Sequence, residues 1–289
     1  MPSPSSRLTP LAPLARINIA FRRLKARAWE RSGRIPHAYG YNAARWFGIE
    51  RDITRGDGRY GWDGGGLDER AVEYPWLFHR MASLGHSPKR VLDAGSILNH
   101  ERVLRWWRAA QFPPVSIVTL APEKRSYISE MVRYEFADLR LLPYRDEWFS
   151  VVVSLSTIEH VGMDNTGYGA AAETSSDSGA DALRAVSELR RVTTSGGTLL
   201  WSVPFGARAS RGWFRIFDES DVNRLMSAPG WTGARARFFR STRDGWREGS
   251  AADAATAGYN EPSGQPELQT APPWVAGAEA VALVEMVRA

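Results

Sequence analysis

The chain has 289 residues, of which 43% are hydrophobic and 24% charged, a composition typical of a soluble globular protein. This length suits one large α/β domain with an extension, or two small domains. The sequence contains no cysteine, which excludes disulfides, zinc thiolate sites and cysteine nucleophiles. No run approaches the ~18 apolar residues that a membrane helix needs. We therefore expect a cytoplasmic protein, and we predict no metal site.

The positive charge of the chain is unevenly distributed. The formal net charge is +5 and the pI is about 9.7, which would be compatible with nucleic-acid binding. The surplus, however, lies largely in residues 1–29, which contain no acidic residue. These basic residues are Arg7, Arg16, Arg22, Arg23, Lys25 and Arg27. A basic segment of this kind is typical of a peripheral contact with an anionic membrane surface or a partner.

The first part of the chain reads as an extension of the main domain. Residues 1–14 are rich in proline and serine and are predicted to be disordered, and residues 15–31 have the pattern of one helix. Residues 32–70 are rich in aromatics and glycine and show no clear periodicity. We predict a boundary that separates residues 1–66, an extension and possible lid, from a domain over residues 67–289. A helical pattern follows over residues 67–85, with an expected kink or restart at Pro75.

Residues 90–99 have the pattern of a strand, a tight turn and the start of a helix. The strand ends in Asp93 and Gly95, and such a unit places backbone N–H groups and a carboxylate at the carboxyl edge of a parallel sheet. A dinucleotide fingerprint needs two more glycines, but Ile97 and His100 stand there. The Gly-Lys-Ser/Thr of a P-loop is also absent. The turn thus disfavours a nicotinamide dinucleotide and excludes a P-loop nucleotide site.

Strand-like and helix-like segments then alternate along the chain. Apolar strands are predicted over residues 115–120, 150–155 and 198–204, with a helix over residues 181–192. This alternation predicts a parallel sheet with helices on its faces.

A series of these segments, in order, resembles class I S-adenosylmethionine-dependent methyltransferases over roughly residues 73–289. The matching segments are residues 91–95 (motif I), 137–144 (the adenine-binding segment), 149–154 (the fourth strand) and 188–197 (the helix and turn before the fifth strand). The resemblance implies an α/β, Rossmann-like doubly wound sheet of about seven strands whose last strand is antiparallel. Residues 234–239 and 279–287 would supply the closing pair of strands, and residues 242–273 an extended loop.

The resemblance also implies a bound S-adenosylmethionine. The residues that would contact this cofactor are Asp93, Gly95, Ser96, Asn99, Thr119, Asp138, Leu139 and Ser154. The sequence departs from the family pattern, because Ile97 and Asn99 replace glycines and Thr119 stands where an acid usually takes the ribose hydroxyls. Glu123 is the nearest carboxylate that could substitute, although a solvated loop glutamate is the simpler interpretation.

The segment after the fourth strand carries the residues predicted to act on the acceptor. His160 is the strongest candidate for a general base, since its ordinary pKa of about 6.5 suits neutral pH. Glu159 would orient it or bind substrate, and Asp164, Asn165 and Tyr168 would contact a polyhydroxyl acceptor. The alternative is structural: His160 caps a helix and Glu159 is its partner.

The resemblance predicts transfer of a methyl group to an oxygen or nitrogen of a small molecule or a glycan sugar. The alternative is a non-catalytic methyltransferase-like scaffold or partner domain, motivated by Ile97, Asn99 and Thr119. A nucleic-acid acceptor is disfavoured, because residues 156–159 read Ser-Thr-Ile-Glu instead of an Asn/Asp-Pro-Pro-aromatic tetrad. The oligomeric state is left open.

Overall fold

The computed structural model describes residues 39–56, 60, 66–84, 89–123, 125–170, 175, 177–261 and 268–289. The predicted disordered segment 1–14, the predicted helix 15–31 and the basic residues within them lie outside this part of the chain. Within the described ranges, no helix combines the length and the apolar content needed to cross a bilayer.

Helices and strands alternate through the middle of the chain. The helices are α1 (Tyr39–Arg55), α2 (Arg70–Ser83), α3 (Glu101–Ala109), α4 (Ser178–Val192), α5 (Glu219–Met226) and α6 (Ala251–Ala254), with 3₁₀ turns at Ile158–His160 and Thr166–Tyr168. The strands are β1 (Val91–Ala94), β2 (Val115–Thr119), β3 (Val132–Phe136), β4 (Phe149–Leu155), β5 (Thr193–Pro204), β6 (Ala209–Ser210), β7 (Arg215–Ile216), β8 (Trp231–Thr242), β9 (Gly245–Gly249), β10 (Tyr259–Asn260), β11 (Gly277–Ala278) and β12 (Ala280–Arg288).

The main sheet has eight strands in the order β3-β2-β1-β4-β5-β12-β8-β9. The first five are parallel neighbours. β12 is antiparallel to β5. The Phe205 N–H, just after the end of β5, donates to the Ala280 carbonyl at the start of β12, and the Arg288 guanidinium at the end of β12 donates to the Thr193 carbonyl at the start of β5. The predicted doubly wound sheet with an antiparallel closing strand is confirmed. The eighth strand, β9, is a hairpin partner of β8.

The chain divides into two compact units. Of the described residues, those up to residue 83 form one unit with those in 204–207 and 237–281, and those in 84–203, 208–236 and 282–289 form the other. In the first unit, Trp46 of α1 packs against Tyr74 of α2 with ring centroids 5.9 Å apart. The indole N–H of Trp246 in β9 donates to the Leu67 carbonyl at 3.0 Å.

The second unit is built around the buried strands β1 and β4. All four residues of β1 are buried, and so are Val151, Val152 and Val153 of β4. Strands covered on both faces need such continuous apolar runs. α3 contributes Trp106 and Trp107 to this core, and α4 contributes its apolar face. The sheet is therefore held rigidly at the strand ends where the predicted site residues lie.

Side-chain caps fix where the two helices beside the site begin. Asp177 accepts a hydrogen bond from the Ala180 N–H, so α4 begins at Ser178, three residues before the predicted start. Asp218 and Asp221 form a reciprocal capping box at the start of α5. The predicted strand at residues 198–204 is likewise longer in the structure, because β5 already begins at Thr193.

Three segments differ from the sequence-based expectation. Residues 32–70, expected to lack periodicity, contain α1, whose inner face includes the buried Asp52 beside Arg51 and is therefore not apolar in pattern. α2 continues through Pro75 without a restart. Residues 242–273 are not one extended loop, since β9, α6 and β10 lie within them.

Candidate functional site

The turn after β1 requires glycine at residue 95. Gly95 has φ of +131°, and a Cβ placed on it would lie 2.0 Å from the hydroxyl oxygen of Thr157. Its N–H donates to the Val118 carbonyl of β2 at 2.8 Å. The backbone of this turn thus passes directly against the segment that follows β4, which only glycine permits.

Asp93 fixes the same turn from inside the sheet. The residue is fully buried, and its Oδ2 accepts the Leu98 N–H at 2.7 Å. A buried carboxylate is stabilised by such a charge-assisted bond. Asp93 therefore lies near the carboxyl end of β1 with its carboxyl group bonded to the turn that follows.

Side chains take the place of the missing glycines in this loop. Ser96 adopts a positive φ of 68°, which is uncommon for a residue with a side chain. Asn99 donates from Nδ2 to the Arg125 carbonyl at 2.7 Å and accepts the Tyr127 N–H at 3.1 Å. The loop after β1 is thereby tied to the loop after β2.

Glu123 is exposed, as expected of a loop glutamate, but it is also bonded to three side chains. Its carboxylate accepts hydrogen bonds from the Ser96 hydroxyl at 2.5 Å, the Tyr134 hydroxyl at 2.8 Å, and Asn99 Nδ2. Burial and the neighbouring Glu123 raise the pKa of Tyr134, which keeps that phenol protonated as a donor. Thr119, at the end of β2, accepts the Ala137 N–H at its carbonyl. Glu123 thus ties the loop after β2 to the loop after β1 and to β3.

The predicted adenine-binding segment is held by arginine. Asp138 accepts the Arg140 N–H at 2.7 Å and pairs with the Arg140 guanidinium at 2.6 Å. The Asp138 side chain is still 29% exposed, and a carboxylate has lone pairs for further donors. Leu139 is buried. This carboxylate is therefore ordered and partly accessible.

Glu188 and Arg191 of α4 anchor the end of that segment. Glu188 Oε1 accepts the Leu142 N–H at 2.8 Å, and Arg191 pairs with Glu188 at 2.7 Å. Burial opposes the ionised form of Glu188, but the hydrogen bonds from Arg191 and Leu142 outweigh it and hold its pKa below the usual value. The segment after β3 is thus fixed by an ionic contact with α4.

Ser154 lies in the sheet itself. The residue is fully buried, and its hydroxyl donates to the Ala94 carbonyl at 2.9 Å. It joins the ends of β1 and β4, which are parallel neighbours. Ser154 therefore positions the two strand ends relative to each other.

His160 is held by the segment before β7. Its Nδ1 lies 2.9 Å from the Trp213 carbonyl oxygen, and its ring stacks on the Trp213 indole with centroids 5.2 Å apart. Glu159 is buried, and its Oε1 lies 3.9 Å from His160 Nε2. Because a carbonyl accepts only from a protonated nitrogen, the contact favours the Nδ1–H tautomer and leaves Nε2 as the basic nitrogen.

The other predicted acceptor residues surround His160 in different ways. Asn165 Nδ2 donates to the carbonyls of His160 and Met163 at 3.0 Å each, so this side chain shapes the turn. Asp164 is half-buried and accepts from Thr166, whose hydrogen bonds lower the pKa of that carboxyl. The Tyr168 ring packs edge-on against His160 with centroids 5.4 Å apart and is exposed on its other side.

Three residues that sequence reasoning did not single out belong to this region: Thr157, Trp213 and Asp181. Asp181 is buried and pairs with Arg184 at 2.9 Å and with Arg140 at 3.3 Å. A hydrogen bond from Ser175, together with these arginines, lowers its pKa. A buried first-turn aspartate has no distinctive sequence signal, and Trp213 meets His160 only through the tertiary fold.

Comparison with known proteins finds likeness in structure only. No protein-family model matches the chain, and no curated protein matches it. Similar solved structures include the N-methyltransferase NodS from Bradyrhizobium japonicum in complex with S-adenosylhomocysteine, at 13% identity, covering 84% of this chain and 98% of NodS with a TM-score of 0.44. The 1,6-didemethyltoxoflavin-N1-methyltransferase of Burkholderia thailandensis shares 15% identity over 72% of this chain and 75% of its own, with a TM-score of 0.43.

The [4+2]-cyclase SpnF is similar as well, at 15% identity over 86% of this chain and 95% of SpnF, with a TM-score of 0.45. At such values the likeness says nothing about activity or substrate. The fold follows instead from the strand order and direction: five parallel strands, then an antiparallel strand inserted before β8. In this respect the chain resembles the class I S-adenosylmethionine-dependent methyltransferases.

Proposed function

We propose that the protein is an S-adenosylmethionine-dependent methyltransferase that acts on an oxygen or nitrogen of a small molecule or glycan sugar. One observation carries the proposal: the glycine turn after β1 packs against Thr157, three residues before His160. Ligands of open α/β sheets bind outside the carboxyl ends of the strands. A cofactor at the first strand and a base at its neighbour would therefore face one crevice.

The residues of the β1 end fit the cofactor. Gly95 lets the backbone of the turn lie directly against Thr157, because a side chain at residue 95 would collide with that threonine. Asp93 brings a negative charge to the turn, and Asp138 is partly exposed with Leu139 beside it. We assign Asp93, Gly95 and Asp138 to cofactor binding, with Ser96, Asn99 and Thr119 at the ribose side. When bound, S-adenosylmethionine supplies a methyl carbon activated by the adjacent sulfonium.

His160 would remove the proton of a hydroxyl acceptor. The Trp213 carbonyl accepts the Nδ1 proton, so Nε2 carries the lone pair that would act as the base. As Nε2 becomes protonated, the buried Glu159 carboxylate 3.9 Å away stabilises the new positive charge. We assign the half-buried Asp164 and the exposed Tyr168 to acceptor contacts, whereas Asn165 orders the turn.

Isothermal titration calorimetry with S-adenosylmethionine and S-adenosylhomocysteine tests the proposal. We expect saturable heat for both compounds with the wild-type chain and a loss of that heat in Gly95→Val. Gly167→Ala is a matched control, because a Cβ at residue 167 meets no atom within 4 Å. Absence of saturable heat in the folded wild-type protein would reject the enzyme and leave the non-catalytic scaffold.

A further inference from the structure

Arg215 of β7 is half-buried, and two of its three guanidinium nitrogens are shielded from water without a hydrogen bond within the described part of the chain. Its Nε and Nη2 atoms are buried, and no acceptor lies within hydrogen-bond reach of them in the described residues. Its Cζ lies 4.9 Å from the centre of the Phe217 ring, which covers one side of the guanidinium. Buried donors without a partner cost about 1–3 kcal/mol, and more when charged. A ligand that accepts hydrogen bonds from these donors would remove that cost.

The carboxylates around Arg215 do not provide that partner. Burial lowers the pKa of Arg215. Four nearby carboxylates oppose this effect by stabilising the positive charge through space, namely those of Asp221, Glu159, Asp181 and Asp177. Asp181 pairs with Arg184 and Arg140, and Asp221 pairs with Arg208. Asp177 is engaged as the cap of α4. These three carboxylates are therefore bonded to other groups, and none of them accepts a hydrogen bond from Nε or Nη2 of Arg215.

The guanidinium of a second arginine, Arg224, lies near that of Arg215, beside the first turn of α4. A Cβ added to Gly179, in the first turn of α4, would lie 3.9 Å from Nη1 of Arg215 and 3.3 Å from Nη1 of Arg224. Asp177 Oδ1 would lie 3.4 Å from that point, so one carboxylate faces two guanidinium groups. The described residues show no hydrogen bond for Arg224, which is exposed. Asp177 offsets part of this positive charge, while the buried Nε and Nη2 donors of Arg215 have no acceptor among the described residues.

This pair lies beside the residues predicted to act on the acceptor. β7 packs against the 3₁₀ turn that carries His160, and Trp213, two residues before Arg215, holds the His160 ring. Glu159 is among the charges that act on Arg215. An anion bound here would therefore belong to a molecule that reaches the general base.

We propose that Arg215 and Arg224 bind an anionic oxygen group, carboxylate or phosphate, of the acceptor. An arginine presents paired N–H donors that match both groups in a bidentate geometry. The inference deepens the proposed function, on which its reference to an acceptor rests, and narrows the substrate class to acids and phosphoesters. The site itself needs no cofactor to be tested.

Titration of the cofactor-free full-length protein with inorganic phosphate, and separately with acetate, tests the site at constant ionic strength. We expect saturable binding of one or both, with the tighter ion indicating which group the acceptor carries. Arg215→Met should weaken that binding by about tenfold or more, since it removes charged hydrogen bonds. Arg105→Met, which removes an exposed charge on α3, is the matched control and should bind like wild type.

Thermal unfolding of the same variants separates binding from a structural role. Arg215→Met should keep or raise the melting temperature, because it removes a buried charge that lacks a hydrogen bond. If Arg215→Met does not fold, the exposed Arg224→Met is measured instead, with at least about fivefold weaker phosphate binding expected. If the folded variant binds phosphate as tightly as the wild type does, and acetate likewise, the inference is overturned. Cofactor calorimetry on the same samples shows independently whether the proposed function fails.

Discussion

Two regions of the second unit hold their polar side chains in opposite ways. The β1 end comprises the loops that follow β1, β2 and β3, and the β4 end comprises the 3₁₀ turn Ile158–His160 with β7 packed against it. At the β1 end the side chains are joined to one another: Glu123 to Ser96 and Tyr134, and Asp138 to Arg140. At the β4 end, Arg215 of β7 keeps buried donors that have no acceptor among the residues that the structure describes. A loop whose polar groups satisfy each other is rigid before a ligand arrives, whereas unsatisfied donors are stabilised by a ligand. We infer that the first region is preformed and that the second is selective for its ligand.

Of the variants that test this comparison, Gly95→Val is expected to change stability and cofactor binding most. The new side chain would collide with Thr157 at a positive φ, which should destabilise the fold by about 3 kcal/mol or more and abolish cofactor heat. Thermal unfolding and calorimetry measure the two effects. A Gly95→Val protein that binds S-adenosylhomocysteine like Gly167→Ala would show that the turn is not preformed for the cofactor.

His160→Gln should act on turnover and not on cofactor affinity. Loss of a general base lowers the rate by roughly 10²-fold or more, while Gln still fits beside the Trp213 carbonyl. Steady-state kinetics with a hydroxyl acceptor and calorimetry with S-adenosylhomocysteine provide the two readouts. Equal turnover in wild type and variant would assign His160 the structural role instead.

Glu123→Gln should weaken the β1 end by a smaller amount. The amide retains one acceptor oxygen, so we expect about 1 kcal/mol lower stability and a several-fold loss of cofactor affinity. Glu130→Gln, on an exposed residue, is the control. If Glu123→Gln instead tightened cofactor binding, the hydrogen bonds of Glu123 would be competing with the cofactor.

The smallest effect is a pH dependence at Glu188. Its pKa is lowered in the folded state from a value of 4.5, so its stabilising contribution is complete above that value and is lost as the pH falls below it. Glu188→Gln should therefore be less stable than wild type at neutral pH, and the difference should shrink in acid. Urea unfolding at several pH values measures this difference, which a pH-independent gap would contradict.

The residues at the β1 end were predictable because their signal is local. Asp93 lies near the end of β1 and Gly95 follows that strand directly, so their turn chemistry appears within six residues. Arg215 and Trp213 could not be found in this way, since Trp213 meets His160 across 53 positions of sequence. Helix α1 was missed for a different reason: the buried Asp52 interrupts its apolar face. Local motifs therefore predict the sheet and the turn, whereas the proposed anion site depends on tertiary contacts that no local pattern encodes.

The most direct test of the account is a crystal structure of the protein with S-adenosylhomocysteine. We predict density for the compound over the carboxyl ends of β1 and β4, with its adenosine toward Asp138 and its sulfur on the side of His160. Density for the compound elsewhere on the molecule, or a crevice filled by the chain's own side chains, would contradict the account.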